Sequence, residues 1–299
     1  MKVLHFYKTY LPETIGGIEV VINQIVVGVE KFGISSEILT LTPKKTKRTI
    51  KVNGFSVHRC KSNFEIASTP FSISVILRFK ELVKDADIIH YHYPYPYADL
   101  LHFLTQVKKP TIISYHSDIV RQKNLYKLYK PLKKYFLNRV NCIVAGSPQY
   151  LSTSRTLAEY KHKTIVIPFG LDKKNYPVPS AEKLNYWRSR FGERFFLNIG
   201  VLRYYKGINI LIEAARNTNY PIVIAGAGMI EKELKEHVKK LDIKNIFFIG
   251  RQSHEDKVAL LKLCYAIIFP SHLRSEAFGI TLLEGAMYGK PLISCEIGT

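Results

Sequence analysis

Cysteine is scarce in this chain, and Cys60, Cys142, Cys264 and Cys295 are scattered without a single CxxC pair. That excludes a disulfide framework and a cysteine-based zinc site, and reads as reduced thiols in a cytoplasmic protein. Long apolar runs are missing as well. No stretch approaches the ~20 apolar residues that a membrane-spanning helix needs, and the apolar run in the opening MKVLHFYKTYLPE is too short for a secretory signal. Low-complexity segments and short repeats are absent too. With 46% hydrophobic and 12% aromatic residues over 299 positions, the chain can bury two cores and is not disordered.

Acid is the third shortage: 24 Asp and Glu stand against 44 Lys and Arg, a net charge of +20. The excess is concentrated before Gly170, where 25 basic residues face 11 acidic ones, against 19 and 13 afterwards. It is densest in VRQKNLYKLYKPLKKYFLNR (120–139), which contains no acid. Three readings stay open at this level. Nucleic acid attracts such a face. So does an anionic membrane, because Tyr126, Tyr129, Tyr135 and Phe136 interleave with the cations as in an interfacial helix. A solvated basic face is the plain alternative.

What is there in abundance is β/α alternation. Short β-rich runs occur at KVLHFY, DIIHYHY, TIISYH, NCIVAGS and TIVIPFG, with amphipathic stretches such as IEVVINQIVVGVEKFG between several of them. A polar stretch, DKKNYPVPSAEKLNYWRSRFGE, follows as a linker. The pattern then restarts: RFFLNIG, INILIEAARN, PIVIAG, IEKELKEHVKKL, NIFFIG, KVALLKLC, AIIFPS, GITLLEGAMY, PLISC. This predicts an α/β protein of two Rossmann-like domains, 1–170 and 193–299, joined by a linker at 171–192.

The segment RSEAFGITLLEGAMYGKP (274–291) carries two glutamates eight positions apart. It follows a buried strand, AIIFP, and so occupies a carboxyl-end loop and the start of a helix, where ligands of open α/β sheets bind. The amides around Ala277–Ile280 form a positive helix N-terminus suited to phosphate. Glu276 and Glu284 suit hydroxyl groups, the second a ribose diol. One ligand with a sugar, a diphosphate and a ribose satisfies all three features; helix capping plus a solvated Glu is the plain alternative.

With P-S before it and G-K-P after it, E-x-F-G-x(4)-E resembles the EX7E signature of family 4 glycosyltransferases of the GT-B fold. The resemblance runs the whole chain, through GGIE (16–19), DIIHYHYP (87–94), YHSD (115–118), VIPFGLD (166–172), LNIGVLRYYKG (197–207), VIAGAG (223–228) and FIGRQS (248–253). It implies two Rossmann-like domains facing a cleft and retaining, metal-independent hexosyl transfer from a nucleotide sugar. Carried over residue by residue, Glu276 binds donor-sugar hydroxyls beside the amides of Ala277, Phe278 and Gly279, and Glu284 binds the ribose. Arg203 and Lys206 neutralise the leaving diphosphate. Gly16 and Gly17 let the backbone approach the donor, His116 touches the sugar, and amides near Arg251 meet the base. No separate cofactor is implied.

The opening HFYKTYLPETIGGIE resembles bacterial O-antigen and capsule transferases, several of them mannosyltransferases using GDP-mannose. That implies a lipid-linked glycan acceptor and peripheral docking of the basic domain on the inner membrane face. Nucleic acid is set aside, because it leaves Glu276 and Glu284 unexplained. A nucleotide-sugar isomerase of the same fold, or a non-catalytic fragment, is the alternative.

Two departures from the family pattern stand out. Val201 occupies a position that is often Arg, with Arg203 two residues on. The chain also ends at CEIGT, where the family reads on, which implies an incomplete C-terminal domain. Other signals have plainer readings. Asp85 and Asp87 precede a strand and read as solvated residues rather than a metal-binding pair. His90 and His92 have no third ligand spaced with them. GAGMIE places Glu231 where a dinucleotide fingerprint needs glycine. His116 with Asp118 ranks as donor contact above acid/base chemistry. Tyr91, Tyr93, Tyr95 and Tyr97 line either an acceptor cleft or the core.

Overall fold

The computed structural model describes residues 1–14, 16–44, 47–119, 123–276 and 278–296. The chain divides into two compact units, one running to Phe169 and the other starting at Gly170.

The first unit carries ten strands: β1 (Lys2–Phe6), β2 (Ser35–Thr42), β3 (Thr49–Val52), β4 (Phe55–Lys61), β5 (Phe64–Ile66), β6 (Thr69–Phe71), β7 (Ile88–Tyr93), β8 (Thr111–Tyr115), β9 (Cys142–Ala145) and β10 (Thr164–Val166). Its helices are α1 (Gly17–Glu30), α2 (Ser74–Asp85), α3 (Pro96–Leu104), α4 (Lys123–Arg139), α5 (Pro148–Thr153) and α6 (Arg155–Glu159). Eight strands form one sheet in the order β10-β9-β8-β7-β1-β2-β4-β3. Every pairing is parallel except β3 with β4, a hairpin turned by Asn53-Gly54, both at positive φ as such a two-residue turn requires. Strands covered on both faces read as near-continuous apolar runs. Phe6, Ile89 and Ile113 are fully buried, each stabilising the fold by about 1.5–3 kcal/mol.

The second unit alternates α7 (Ala181–Phe191), β11 (Phe196–Ile199), α8 (Ile208–Ala215), β12 (Ile222–Ala225), α9 (Glu231–Lys240), β13 (Ile246–Gly250), α10 (His254–Leu263), β14 (Ala266–Phe269), α11 (Ile280–Met287) and β15 (Leu292–Ser294). Its sheet is wholly parallel, ordered β13-β12-β11-β14-β15. In both units the strand order reverses once, at β1/β7 and at β11/β14. At such a point successive crossovers leave in opposite directions, opening a crevice at the strands' carboxyl ends.

Two expectations need correction, and one open alternative is decided. Residues 181–191, expected as linker, form α7, which belongs to the second unit's core. Ser180 caps it, Trp187 and Phe191 are buried against Ala259 and Leu260, and the Trp187 indole donates to Asp256 at 3.0 Å. The aromatic interleaving on α4 is only in part an outward face. Phe136 is fully buried, Tyr129 donates inward to the buried carboxylate of Asp99, and Lys133 is buried against Tyr126 and Thr156. The outward residues include Leu125, Leu128, Tyr135, Lys127, Lys130 and Lys134; positions 120–122 lie outside the described residues. Finally, Tyr91, Tyr93, Tyr95 and Tyr97 are all buried. Tyr91 bonds His102, while Tyr95 and Tyr97 donate to the carbonyls of Pro70 and Ser72, so these rings are core rather than a cleft lining.

Glycine is sterically required where loops of the second unit meet. A Cβ on Gly226 would lie 1.8 Å from the Gly200 carbonyl oxygen, and one on Gly207, at φ 66°, would lie 1.9 Å from the Pro270 carbonyl oxygen. The loops after β11, β12 and β14 therefore touch backbone to backbone. Gly226→Ala is expected to destabilise the protein by about 3 kcal/mol through overpacking, seen as a lower urea midpoint; an unchanged midpoint contradicts this close approach.

Candidate active site

At the β11/β14 switch point, the β11 loop runs from Gly200 through a single 3-10 turn, Tyr204–Lys206, to the left-handed Gly207. The β14 loop returns through Ser271 and Glu276 to Gly279, the residue capping α11. Lys206 and Glu276 meet there in a short ion pair, both side chains largely shielded from solvent. The other Glu276 oxygen accepts the Gly279 amide at 3.3 Å, so this carboxylate sits on the N-terminus of α11, where the helix dipole favours negative charge. Lys206 also lies 4.7 Å from the centre of the Phe269 ring. Arg203 opens the 3-10 turn and forms no ion pair among the described residues. The loop pair thus holds a neutralised carboxylate and, in Arg203, a further cation, an arrangement suited to an anion.

Glu284 lies one turn into α11 and is buried. Its Oε1 accepts from the Tyr176 hydroxyl at 2.8 Å and from Lys257 Nζ at 2.6 Å, which leaves Oε2 unbonded among the described residues. Burial, and then the Glu284 charge, push the Tyr176 phenol well above its usual range, so it donates to the carboxylate. Neither partner was legible beforehand: Lys257 sits in an ordinary amphipathic helix, and Tyr176 in what read as linker. Phe278 is half-buried beside Gly279, Ala277 lies outside the described residues, and Arg251 is exposed just past β13, a strand separated from β11 by β12.

Gly16, Gly17 and His116 belong to the first unit. Gly16 caps α1 in extended backbone and Gly17 begins the helix. Glu19 pins this turn from beneath. It is buried, accepts from Thr9 Oγ1 at 2.6 Å, and bonds back to the helix start as a capping box does. Desolvation raises its pKa, offset in part by those hydrogen bonds.

His90 and His92, which have no third ligand spaced with them in the sequence, are joined by one in the fold. His5 on β1 is in register with His90, and nitrogens of His5, His90 and His92 lie within 4.8 Å of one another. The third member was invisible because it arrives from a strand 85 residues away. The rings stack side by side, and several of their nitrogens are engaged with one another or, for His90, with Ser114 at 2.8 Å. His116, just past β8, continues the stack.

Two family descriptions match this chain. "Glycosyltransferase Family 4" covers residues 15–175, and "Glycosyl transferases group 1" covers residues 182–299. The D-rhamnosyltransferase WbpZ of Pseudomonas aeruginosa is 54% identical over all 299 residues, which span 78% of that protein. The chain is a family 4 glycosyltransferase. The O-antigen chain mannosyltransferase C of Escherichia coli is 48% identical, again over the whole chain and 80% of that protein. Among solved structures, a sucrose-phosphate synthase from Thermosynechococcus elongatus superposes with a TM-score of 0.80, covering 99% of this chain and 82% of its own. HepE of Anabaena, in complex with UDP and glucose, superposes with a TM-score of 0.77, covering 100% and 81%. At 17% identity each, they show the GT-B fold of this glycosyltransferase.

The buried histidines give the glycosyltransferase an acid limit. Desolvation holds His90 and His102 down at about 4 and His116 at about 3, with His5 and His92 well below the usual range. In the unfolded chain each binds a proton below ~6.5, whereas in the fold it does not, so stability falls as pH drops from there towards the folded values. Between pH 7 and 5 the unfolding free energy is expected to fall by at least about 2 kcal/mol, the share of one such histidine. Denaturant melts at the two pH values check this; equal midpoints contradict it.

Proposed function

We propose that this glycosyltransferase moves a manno-configured hexosyl group from a nucleotide sugar to a growing, lipid-linked surface polysaccharide, with retention of configuration. The observation that carries the reading is the Lys206–Glu276 pair at the β11/β14 crevice, set on the N-terminus of α11. Cleavage of the donor's glycosidic bond puts negative charge on the departing diphosphate. Lys206, the uncommitted Arg203 and the helix N-terminus are fixed groups that stabilise such charge without reorganising. When the diphosphate draws Lys206, the carboxylate of Glu276 is released to accept hydrogen bonds from sugar hydroxyls. Glu284, braced on one oxygen by Tyr176 and Lys257, offers the other to the ribose diol. In this reading Phe278, Gly279 and the amides near Arg251 complete the second unit's donor contacts, while Gly16, Gly17, His116 and Ala277 are carried over from the family resemblance alone. The leaving phosphate itself takes the acceptor's proton, so no protein base is needed.

The sugar assignment is supported by the names of the two similar enzymes, a D-rhamnosyl- and a mannosyltransferase. D-Rhamnose is mannose lacking the hydroxyl at C6, so one pocket shape serves both, and GDP is the nucleotide we favour. No helix of the described residues is long and apolar enough to cross a membrane. Peripheral docking is instead supported by α4, whose outward Lys127, Lys130 and Lys134 flank the exposed Leu125, Leu128 and Tyr135.

Calorimetric titration with GDP, UDP and ADP in turn is expected to show selective binding of GDP. Glu276→Ala is expected to lower turnover by about two orders of magnitude or more as charged hydrogen bonds to the sugar are lost. Binding of no nucleotide, together with wild-type turnover in Glu276→Ala, would overturn the assignment.

A further inference from the structure

Four histidines from three neighbouring strands stack inside the first unit, and only His116 has a place in the reading above. His5 lies on β1, His90 and His92 lie on β7, and His116 follows β8 directly. Adjacent ring centres are 4.5 to 5.5 Å apart, and all four side chains are buried. Three of them form a chain of nitrogen-to-nitrogen bonds. His5 Nδ1 meets His92 Nε2 at 3.2 Å, and His92 Nδ1 meets His116 Nε2 at 3.0 Å. The far end of the chain, His5 Nε2, is enclosed and has no hydrogen-bond partner among the described residues.

A neutral imidazole carries one N–H and one lone pair. Desolvation keeps these rings neutral near pH 7. With both bonds made, the chain can therefore run in only two directions. If His116 donates to His92 and His92 to His5, the His5 proton must sit on Nε2, stranding a buried N–H. If His5 donates through Nδ1 to His92, and His92 through Nδ1 to His116, a lone pair is stranded at His5 Nε2 and the last N–H falls on His116 Nδ1, which is not an enclosed atom lacking a partner. Buried N–H groups without acceptors are rarer in proteins than under-used acceptors, so the second direction prevails. His116 Nε2 is then an acceptor, and the His116 proton sits on Nδ1.

We infer that His5 and His92 are positioning residues that fix His116 as the Nδ1–H tautomer, so that the ring offers the donor sugar an N–H and not a base. This rests on the reading that His116 meets the sugar. Its chemical consequence is definite: the one unprotonated nitrogen of His116 is already taken by His92, so His116 donates a hydrogen bond to a sugar oxygen and removes no proton. His90 buttresses the stack from the side, its Nε2 held by Ser114 at 2.8 Å.

The test uses the intact chain labelled with 15N-histidine, without ligand, in two-bond proton–nitrogen correlation spectra; the His116 signals are identified by their loss in His116→Gln. Protonated Nδ1 with unprotonated Nε2 is the expected pattern. A proton on Nε2, or averaging between the two nitrogens, would overturn the inference. Because this reading needs neither donor nor turnover, it stands or falls separately from the proposed transfer reaction. In kinetics, His92→Leu is expected to lower kcat by roughly tenfold, about 1.4 kcal/mol, with a smaller change in donor KM. His92→Asn, whose amide N–H stands near the position of Nδ1, is expected to restore part of that loss. Unchanged kcat in a folded His92→Leu variant contradicts the positioning role.

Discussion

The ion pair between Lys206 and Glu276 ties together the two loops that leave the second sheet in opposite directions. Much else in that unit follows from holding those loops at bonding distance. The close backbone approaches at Gly207 and Gly226 bring the β11, β12 and β14 loops together. The α11 N-terminus is capped by the same carboxylate that pairs with the lysine. A shielded pair of this kind contributes little net stability, because desolvation of both charges offsets their attraction. In the proposed reaction its value lies in readiness: an entering anion finds a cation already in place and a carboxylate it can release.

The first unit solves a different problem. Four imidazoles are packed where the strand order reverses, out of water and unprotonated. The cost falls on acid tolerance; the gain is a fixed pattern of donors and acceptors beside the loop that holds His116. Fixed dipoles are useful at a site where charge develops during reaction, because they need no rearrangement. The two switch points are thus furnished differently: a charged pair at β11/β14, neutral imidazoles at β1/β7.

The β/α alternation was legible because buried parallel strands leave apolar runs and amphipathic helices leave their own spacing, both local patterns. The glutamate pair was legible for the same reason, since Glu276 and Glu284 share one loop and one helix. Contacts from distant sequence were not. His5 reaches His90 and His92 only through sheet register. Lys257 and Tyr176 reach Glu284 from a neighbouring helix and from a segment that read as linker. The Tyr91–Tyr97 run and the α4 aromatics stayed ambiguous because residue type alone does not tell an inward ring from an outward one. Their burial in the fold decides it.

Sugar transfer in the presence of excess chelator, comparing the wild type with Lys206→Met, tests the central claim most directly: protein cations, not a bound metal, stabilise the departing diphosphate. Wild-type turnover is expected to survive the chelator, while Lys206→Met loses about a hundredfold or more, a barrier increase of ~2.7 kcal/mol. Turnover abolished by the chelator, or undiminished in Lys206→Met, would contradict it.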